Sequence, residues 1–201
     1  MRRRLNTFLR MVFVLCVAYP VIFIWLGLQV RNRSRLPCQG PIIIAANHNS
    51  HLDILVLLSL FPLKSVAKVR AAAAADYFFK NRWLKWFSVN VIGIVPVVRG
   101  GAQESDPLEA CYRELAAGSV LIIFPEGTRG EPGEFGDLKS GIWYLAKRFP
   151  DVPVVPVFMS GLGRAMPKGA FLPVPFFVSV AVGAPLFWSP EREIFMHTLR
   201  Q

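Results

Sequence analysis

Apolar and polar positions along the chain alternate between short continuous apolar runs and longer amphipathic stretches. Residues 41–46 (PIIIAA) are apolar throughout, like a buried strand. Residues 54–60 (ILVLLSL) read as a helix that stops at Pro62. Between them stands Asn47-His48-Asn49-Ser50-His51-Leu52-Asp53, which places a histidine and a carboxylate where a strand gives way to a helix. Open α/β sheets collect their chemistry at such junctions.

The same order recurs downstream. Residues 89–98 read as a strand, Ser105-Asp106-Pro107 opens a helix, and Gly118 closes it. Residues 119–124 are apolar at nearly every position, as in a strand covered on both faces. A helix over 139–148, a strand over 152–158, a Gly/Pro-rich loop to Pro173, a strand over 176–182 and a terminal helix capped by Ser189-Pro190 follow. Strand–helix–strand order predicts an α/β fold, with a mostly parallel or mixed sheet flanked by helices. The five alanines 71–75 read as ordinary helix former.

The N-terminus breaks this order. Residues 11–30 carry no charge, and about 20 apolar residues suffice for a helix to cross a bilayer core. A cleaved signal peptide fits poorly, because the run is long, no small-x-small site follows, and arginines come next. Four arginines precede the run and three follow it, so the positive-inside rule nearly ties. Pro20 at its centre favours a kink, leaving a straight span and a hairpin in one leaflet both open. The division predicted is a basic-flanked membrane-anchoring helical segment over 1–37 and a catalytic domain over 38–201.

Charge supports that division. The formal net charge is +10, and residues 1–35 supply seven arginines and no acid. A nucleic-acid binder would carry its excess on the folded domain, so the basic flanks point to anionic lipid and away from nucleic acid. Hydrophobic residues make up 53% of the chain, above the range of average soluble domains. The three cysteines, Cys16, Cys38 and Cys111, lack paired or metal-type spacing, which implies a reducing compartment. In residues 64–87 six Lys/Arg face one acid, and Phe79, Trp83, Trp86 and Phe87 share a helical face. Such a face either lies at the headgroup boundary or packs on the core.

Candidate chemistry sits at two strand exits. Ser50-x-x-Asp53 has the form of a capping box, with Ser50 at the N-cap. A helix N-terminus also favours a carboxylate's charged form. His48 lies just before this cap, close enough for Asp53 to hold one ring nitrogen while the other accepts a proton from a hydroxyl. His48, His51 and Asp53 have ligand-like chemistry, but beyond them the chain has only His197, near the terminus, and no clustered cysteines, so no metal is assigned. At the second exit, Phe124-Pro125-Glu126-Gly127-Thr128-Arg129-Gly130 brings together a carboxylate, a hydroxyl and a guanidinium. That set suits an anionic, hydroxyl-bearing ligand, with Arg129 offering a bidentate clamp for phosphate.

These motifs resemble those of the glycerophospholipid acyltransferase family, typified by 1-acyl-sn-glycerol-3-phosphate (lysophosphatidic acid) acyltransferases. Asn47 to Asp53 matches the His-x4-Asp motif, Gly93-Ile94-Val95-Pro96-Val97-Val98-Arg99 resembles the second motif, Phe124 to Arg129 is similar to the third, and Val154-Val155-Pro156-Val157 to the fourth. All four stand in the family's order within residues 38–185. Gly130, Val98 and the alanine run depart from the pattern and bear on which lipid is accepted.

The resemblance implies a membrane-bound acyltransferase with His48 as general base and Asp53 supporting its imidazole. Arg99, Glu126, Gly127, Thr128 and Arg129 would bind substrate. Acyl-CoA or acyl-carrier protein would be the donor, with no cofactor. A lysophospholipid would be the acceptor, first of all 1-acyl-sn-glycerol-3-phosphate, giving phosphatidic acid. The alternatives are another acceptor such as a lyso-ornithine lipid, or a membrane thioesterase or lipase using the same His/Asp pair. The expected location is the inner (cytoplasmic) membrane, with the domain on the cytosolic face because acyl donors are made there.

Overall fold

In a computed structural model, residues 2–75, 81–97, 106–130, 136–167, 169–170 and 172–201 are described. The strands are β1 (Leu28–Arg31), β2 (Ile42–Ala46), β3 (Val69–Ala74), β4 (Ile94–Val97), β5 (Val120–Ile123), β6 (Val154–Ser160) and β7 (Val178–Val182). They form one sheet in the order β1-β7-β6-β2-β5-β3-β4. Neighbours run parallel except the β6–β7 pair. The sheet is therefore mixed, and mostly parallel.

Alternation in β2 explains why helices cover both faces. Ile42, Ile44 and Ala46 join a core beneath the N-terminal helix and α2 (Asp53–Ser59). Ile43 and Ala45 point the other way, onto α5 (Glu109–Ala116), α6 (Gly141–Arg148) and α8 (Arg192–Arg200). Every β2 residue is buried. Smaller helices α3 (Leu63–Val66), α4 (Arg82–Phe87) and α7 (Leu162–Ala165) fill the connections.

The N-terminal helix α1 (Arg2–Phe13) continues through wider turns over Val14–Ala18 and Pro20–Trp25. Tyr19 keeps helical angles (φ −62°, ψ −49°), so the chain passes Pro20 without reversing. Wide turns are one way a helix accommodates a proline that lacks its N–H. From Arg4 to Trp25 the helix is apolar and long enough to cross a membrane, yet one side of it packs on the domain. Val14, Ala18, Ile22 and Leu26, spaced at i, i+4, are fully or almost fully buried. The apolar run ends earlier than its sequence limit: Gly27 (φ +55°) turns the chain, and Leu28–Arg31 pairs with β7 as an edge strand. The sheet thus takes residues from before the boundary drawn at 37.

Local propensity is overridden in several places. The alanine run is strand β3, not helix: Ala71 to Ala74 pair with β4, and burial between neighbouring strands outweighs helix preference. Of the described residues in the strand read over 89–98, Ile94–Val97 are extended. Ser88–Ile92 prolongs α4 as a wide turn, ended by Gly93 at φ +84°. At the last helix Ser189 does not cap: its hydroxyl donates to Glu191, and α8 begins at Arg192. Phe79 lies outside the described residues; of its predicted partners, Trp83 and Trp86 are exposed and Phe87 packs edge-on to Phe13.

Candidate active site

β2 and β5 are sheet neighbours with Ala45 opposite Ile123, so the chain segments leaving them emerge side by side. That register brings together the two motifs, which are about 80 residues apart in sequence. Asn47 welds the first motif to β6: its Nδ2 donates to Met159 O (2.8 Å) and its Oδ1 accepts from Met159 N (2.6 Å). Gly130 N donates to His48 O (2.9 Å), and His48 N donates to Glu126 Oε1 (3.0 Å), stitching the exits together.

The predicted pair is formed. His48 Nδ1 stands 2.8 Å from Asp53 Oδ2. The same carboxylate oxygen accepts from the backbone N–H of Asn49 (2.7 Å) and Ser50 (2.9 Å). An oxygen already receiving two N–H groups takes a third donor, so Nδ1 carries the proton and Nε2 is left with its lone pair. Asp53 is wholly buried, while the His48 side chain keeps 22% exposure. The Phe124 ring stacks under the imidazole at 4.2 Å and 22° and fixes its plane. Half of the expected capping box is present. Asp53 reaches back to Ser50 N, but Ser50 Oγ accepts from Leu52 N (3.3 Å) and donates to Met166 O (3.2 Å).

His48 opens on a cavity of about 500 Å³. Its walls are largely apolar, with Phe13, Ile54, Leu55, Ala72 to Ala74, Ile92, Ile94 and Phe124, and its polar rim is His51, Gly127, Thr128 and Arg129. Arg129 Nη1 donates to His51 Nε2 (2.8 Å). Burial, then the charge of Arg129, holds the His51 imidazole below its ordinary pKa, so it accepts as a neutral ring. Glu126 lies behind this rim and outside the cavity lining. It is 4% exposed, and its second oxygen accepts from Gly136 N (3.1 Å). Arg99 lies outside the described residues. Among the described residues no cluster of three His, Cys, Asp or Glu side chains suits a metal ion.

Sequence patterns alone pass over several groups. The alanines lining the cavity carried no signal beyond small size. Phe13 reaches it because the N-terminal helix packs along the domain, and Ile92 because the wide turn over Ser88–Ile92 ends at the cavity just before β4. Phe124 was legible as a motif residue, but its place under His48 depends on the β2–β5 register.

The geometry just described is that of a paired histidine and carboxylate at the carboxyl edge of an α/β sheet, facing an apolar cavity. Residues 27–160 match the family described as Acyltransferase. The chain belongs to that family. It is 30% identical over 172 residues to the chloroplastic 1-acyl-sn-glycerol-3-phosphate acyltransferase BAT2 of Brassica napus, covering 84% of this chain and 46% of that protein. With the lyso-ornithine lipid O-acyltransferase of Rhizobium meliloti it shares 29% identity over 172 residues, covering 76% and 52%. The chain thus spans about half the length of these curated relatives. The crystal structure of the 1-acyl-sn-glycerophosphate (LPA) acyltransferase PlsC from Thermotoga maritima has the same fold. Its TM-score is 0.68 at 21% identity, covering 100% of this chain and 93% of that one.

Proposed function

We infer that the chain is a membrane-associated acyltransferase that moves a fatty acyl group from acyl-CoA or acyl-carrier protein to the free hydroxyl of a lysophospholipid. The first acceptor is 1-acyl-sn-glycerol-3-phosphate, and the product is phosphatidic acid. One observation carries the reading: a histidine held at Nδ1 by a buried carboxylate shares an apolar cavity with a guanidinium and a threonine hydroxyl.

The chemistry follows from that arrangement. With Nδ1–H donated to Asp53, Nε2 takes the proton of the acceptor hydroxyl as its oxygen attacks the thioester carbonyl. Asp53 balances the imidazolium that forms, and the departing thiolate recovers the proton from it. The new C–O bond replaces the C–S bond, so no cofactor or oxidant enters. Arg129 faces the cavity as a clamp for the acceptor phosphate, with Gly127 and Thr128 shaping the same rim, and Arg99 is kept as the second phosphate arginine. Glu126 acts as a brace, binding the backbone of His48 in place. Cys111 makes a poor protein nucleophile: burial and nearby Glu114 and Asp106 push its thiol up to about 12, and it lies in the core across the sheet. Direct transfer is therefore favoured over a covalent acyl-enzyme. The apolar helix and its arginine flanks support attachment to the cytoplasmic membrane, with the domain on the cytosolic side where acyl donors are made.

The name of the Rhizobium meliloti relative makes a lyso-ornithine lipid the second acceptor to test. The experiment is transfer by the full chain from labelled acyl-CoA, or acyl-carrier protein, to a panel holding lysophosphatidate, lyso-ornithine lipid and other lysophospholipids. Phosphatidic acid should form with lysophosphatidate and should vanish in His48→Ala, with vesicle binding retained. Fatty acid release without acceptor consumption, or near wild-type transfer by His48→Ala, would overturn the reading.

A further inference from the structure

The reaction leaves unused a charge-free loop beside the end of the N-terminal helix. Residues 169–190 carry no charged side chain. Within them Leu172, Val174, Phe176 and Phe177 are 73%, 53%, 37% and 81% exposed. Four such side chains in six residues make a dense apolar patch, of the sort that marks an interaction surface.

The loop is tied to its surroundings. Trp25 Nε1 donates to Pro173 O (3.0 Å), Val174 N to Ala165 O (2.8 Å) and Val178 N to Gly27 O (3.5 Å). The Phe177 ring lies so close to Gly27 that a Cβ there would stand 3.3 Å away. Pro173 and Pro175 have no N–H to satisfy. Much of the backbone demand for hydrogen bonds is thus met or absent, the condition for entering hydrocarbon.

The surroundings name the occupant. Phe23, Ile24 and Trp25, at the end of the long apolar helix, are 54%, 81% and 51% exposed beside this loop. Exposed Arg164 precedes the loop in sequence, and exposed Arg31 stands on the edge strand, opposite Ala181 of the strand that leaves it. Apolar tips flanked by cations match an anionic bilayer surface. The inner stripe of the helix is sealed on the domain, so its outer face is what lipid can reach.

We propose that the loop 172–177 inserts into the same leaflet as the outer face of the N-terminal helix, a second apolar contact that fixes the tilt of the domain on the bilayer. This rests on the membrane association inferred above.

The test uses the full chain in a Cys16→Ser/Cys38→Ser background. Ile24→Cys or Phe177→Cys carries an environment-sensitive NBD probe, and vesicles of phosphatidylcholine and phosphatidylglycerol carry nitroxide-labelled acyl chains. Both probes should shift to the blue and be quenched. Quenching at position 24 with a solvent-like, unquenched probe at 177 overturns the loop while leaving membrane association intact; no quenching at either site overturns both. In parallel, Leu172→Gln/Phe177→Gln should lower vesicle partitioning at least fivefold, and unchanged partitioning overturns the proposal.

Discussion

Asp53→Asn separates the charge of the carboxylate from its geometry. Oδ2 receives three donors, two of them backbone N–H groups that cannot turn away, so the amide oxygen of asparagine takes that place and the NH2 takes the place of Oδ1. Oδ1 is buried and has no hydrogen-bond partner among the described residues. The substitution therefore keeps the His48 tautomer, removes the charge facing the imidazolium, and buries an unsatisfied donor. A hydrogen bond to a charged group contributes about 1.5–3 kcal/mol against about 0.5–1.5 for a neutral one. That difference alone slows the step roughly tenfold. The ceiling is the whole of general-base assistance, about 10²–10⁴-fold, so kcat should fall between about 10-fold and about 10⁴-fold. The buried NH2 should also cost about 1–3 kcal/mol of stability, or about 2–4 °C of Tm for each kcal/mol in a domain of this size. The assay is single-turnover acyl transfer at saturating lysophosphatidate, with Tm measured on the same preparation. A kcat indistinguishable from wild type, with Tm lowered as calculated, would refute the charge argument while confirming the burial.

Glu126→Gln puts an NH2 against either the His48 or the Gly136 N–H; about 1–3 kcal/mol should be lost, and kcat should drop with the acceptor KM little changed, whereas a binding role for Glu126 would raise KM instead. Arg129→Ala should raise the acceptor KM and leave kcat nearly intact; unchanged kinetics would remove the phosphate clamp. Because His51 is held below its ordinary pKa in the folded state, the unfolded chain binds its proton first. Its contribution to stability is thus present above about 6.5 and lost as pH falls below it. Tm should decline over that acid range, less steeply in His51→Gln; identical slopes would refute the assignment. Gly93→Ala should be destabilising, since φ is +84° and a Cβ would lie 2.5 Å from Arg10 Nη1, whose neighbour Nη2 donates to Ile92 O; the left-handed conformation alone costs about 1–2 kcal/mol, and an unaltered Tm would show that the helix is not locked to Gly93.

How much of this was legible beforehand depends on how local the determining interaction is. The His48–Asp53 pair spans five residues of one strand–helix junction, and it was readable because such short separations leave the backbone few ways to part the side chains. The apolar runs of β2 and β5 likewise declared buried strands. The alanines of β3 misled because alanine favours a helix in isolation, and only pairing with β4 and β5 makes it a strand. Glu126 read as a ligand group because its chemistry invites one; that it faces the backbone of His48 follows from the adjacency of two strands, which no local pattern encodes.

By itself, then, the sequence determined most of the alternation of strands and helices, the apolar N-terminal helix, and the two polar motifs at the strand exits, because each is set by neighbours along the chain. Only the tertiary structure decided that β2 and β5 lie side by side, that the N-terminal helix closes one wall of the cavity through Phe13, and that Trp25 meets the loop at Pro173. Those are contacts between residues about 80 to 150 apart, fixed when burial on both sheet faces selects one strand order from many.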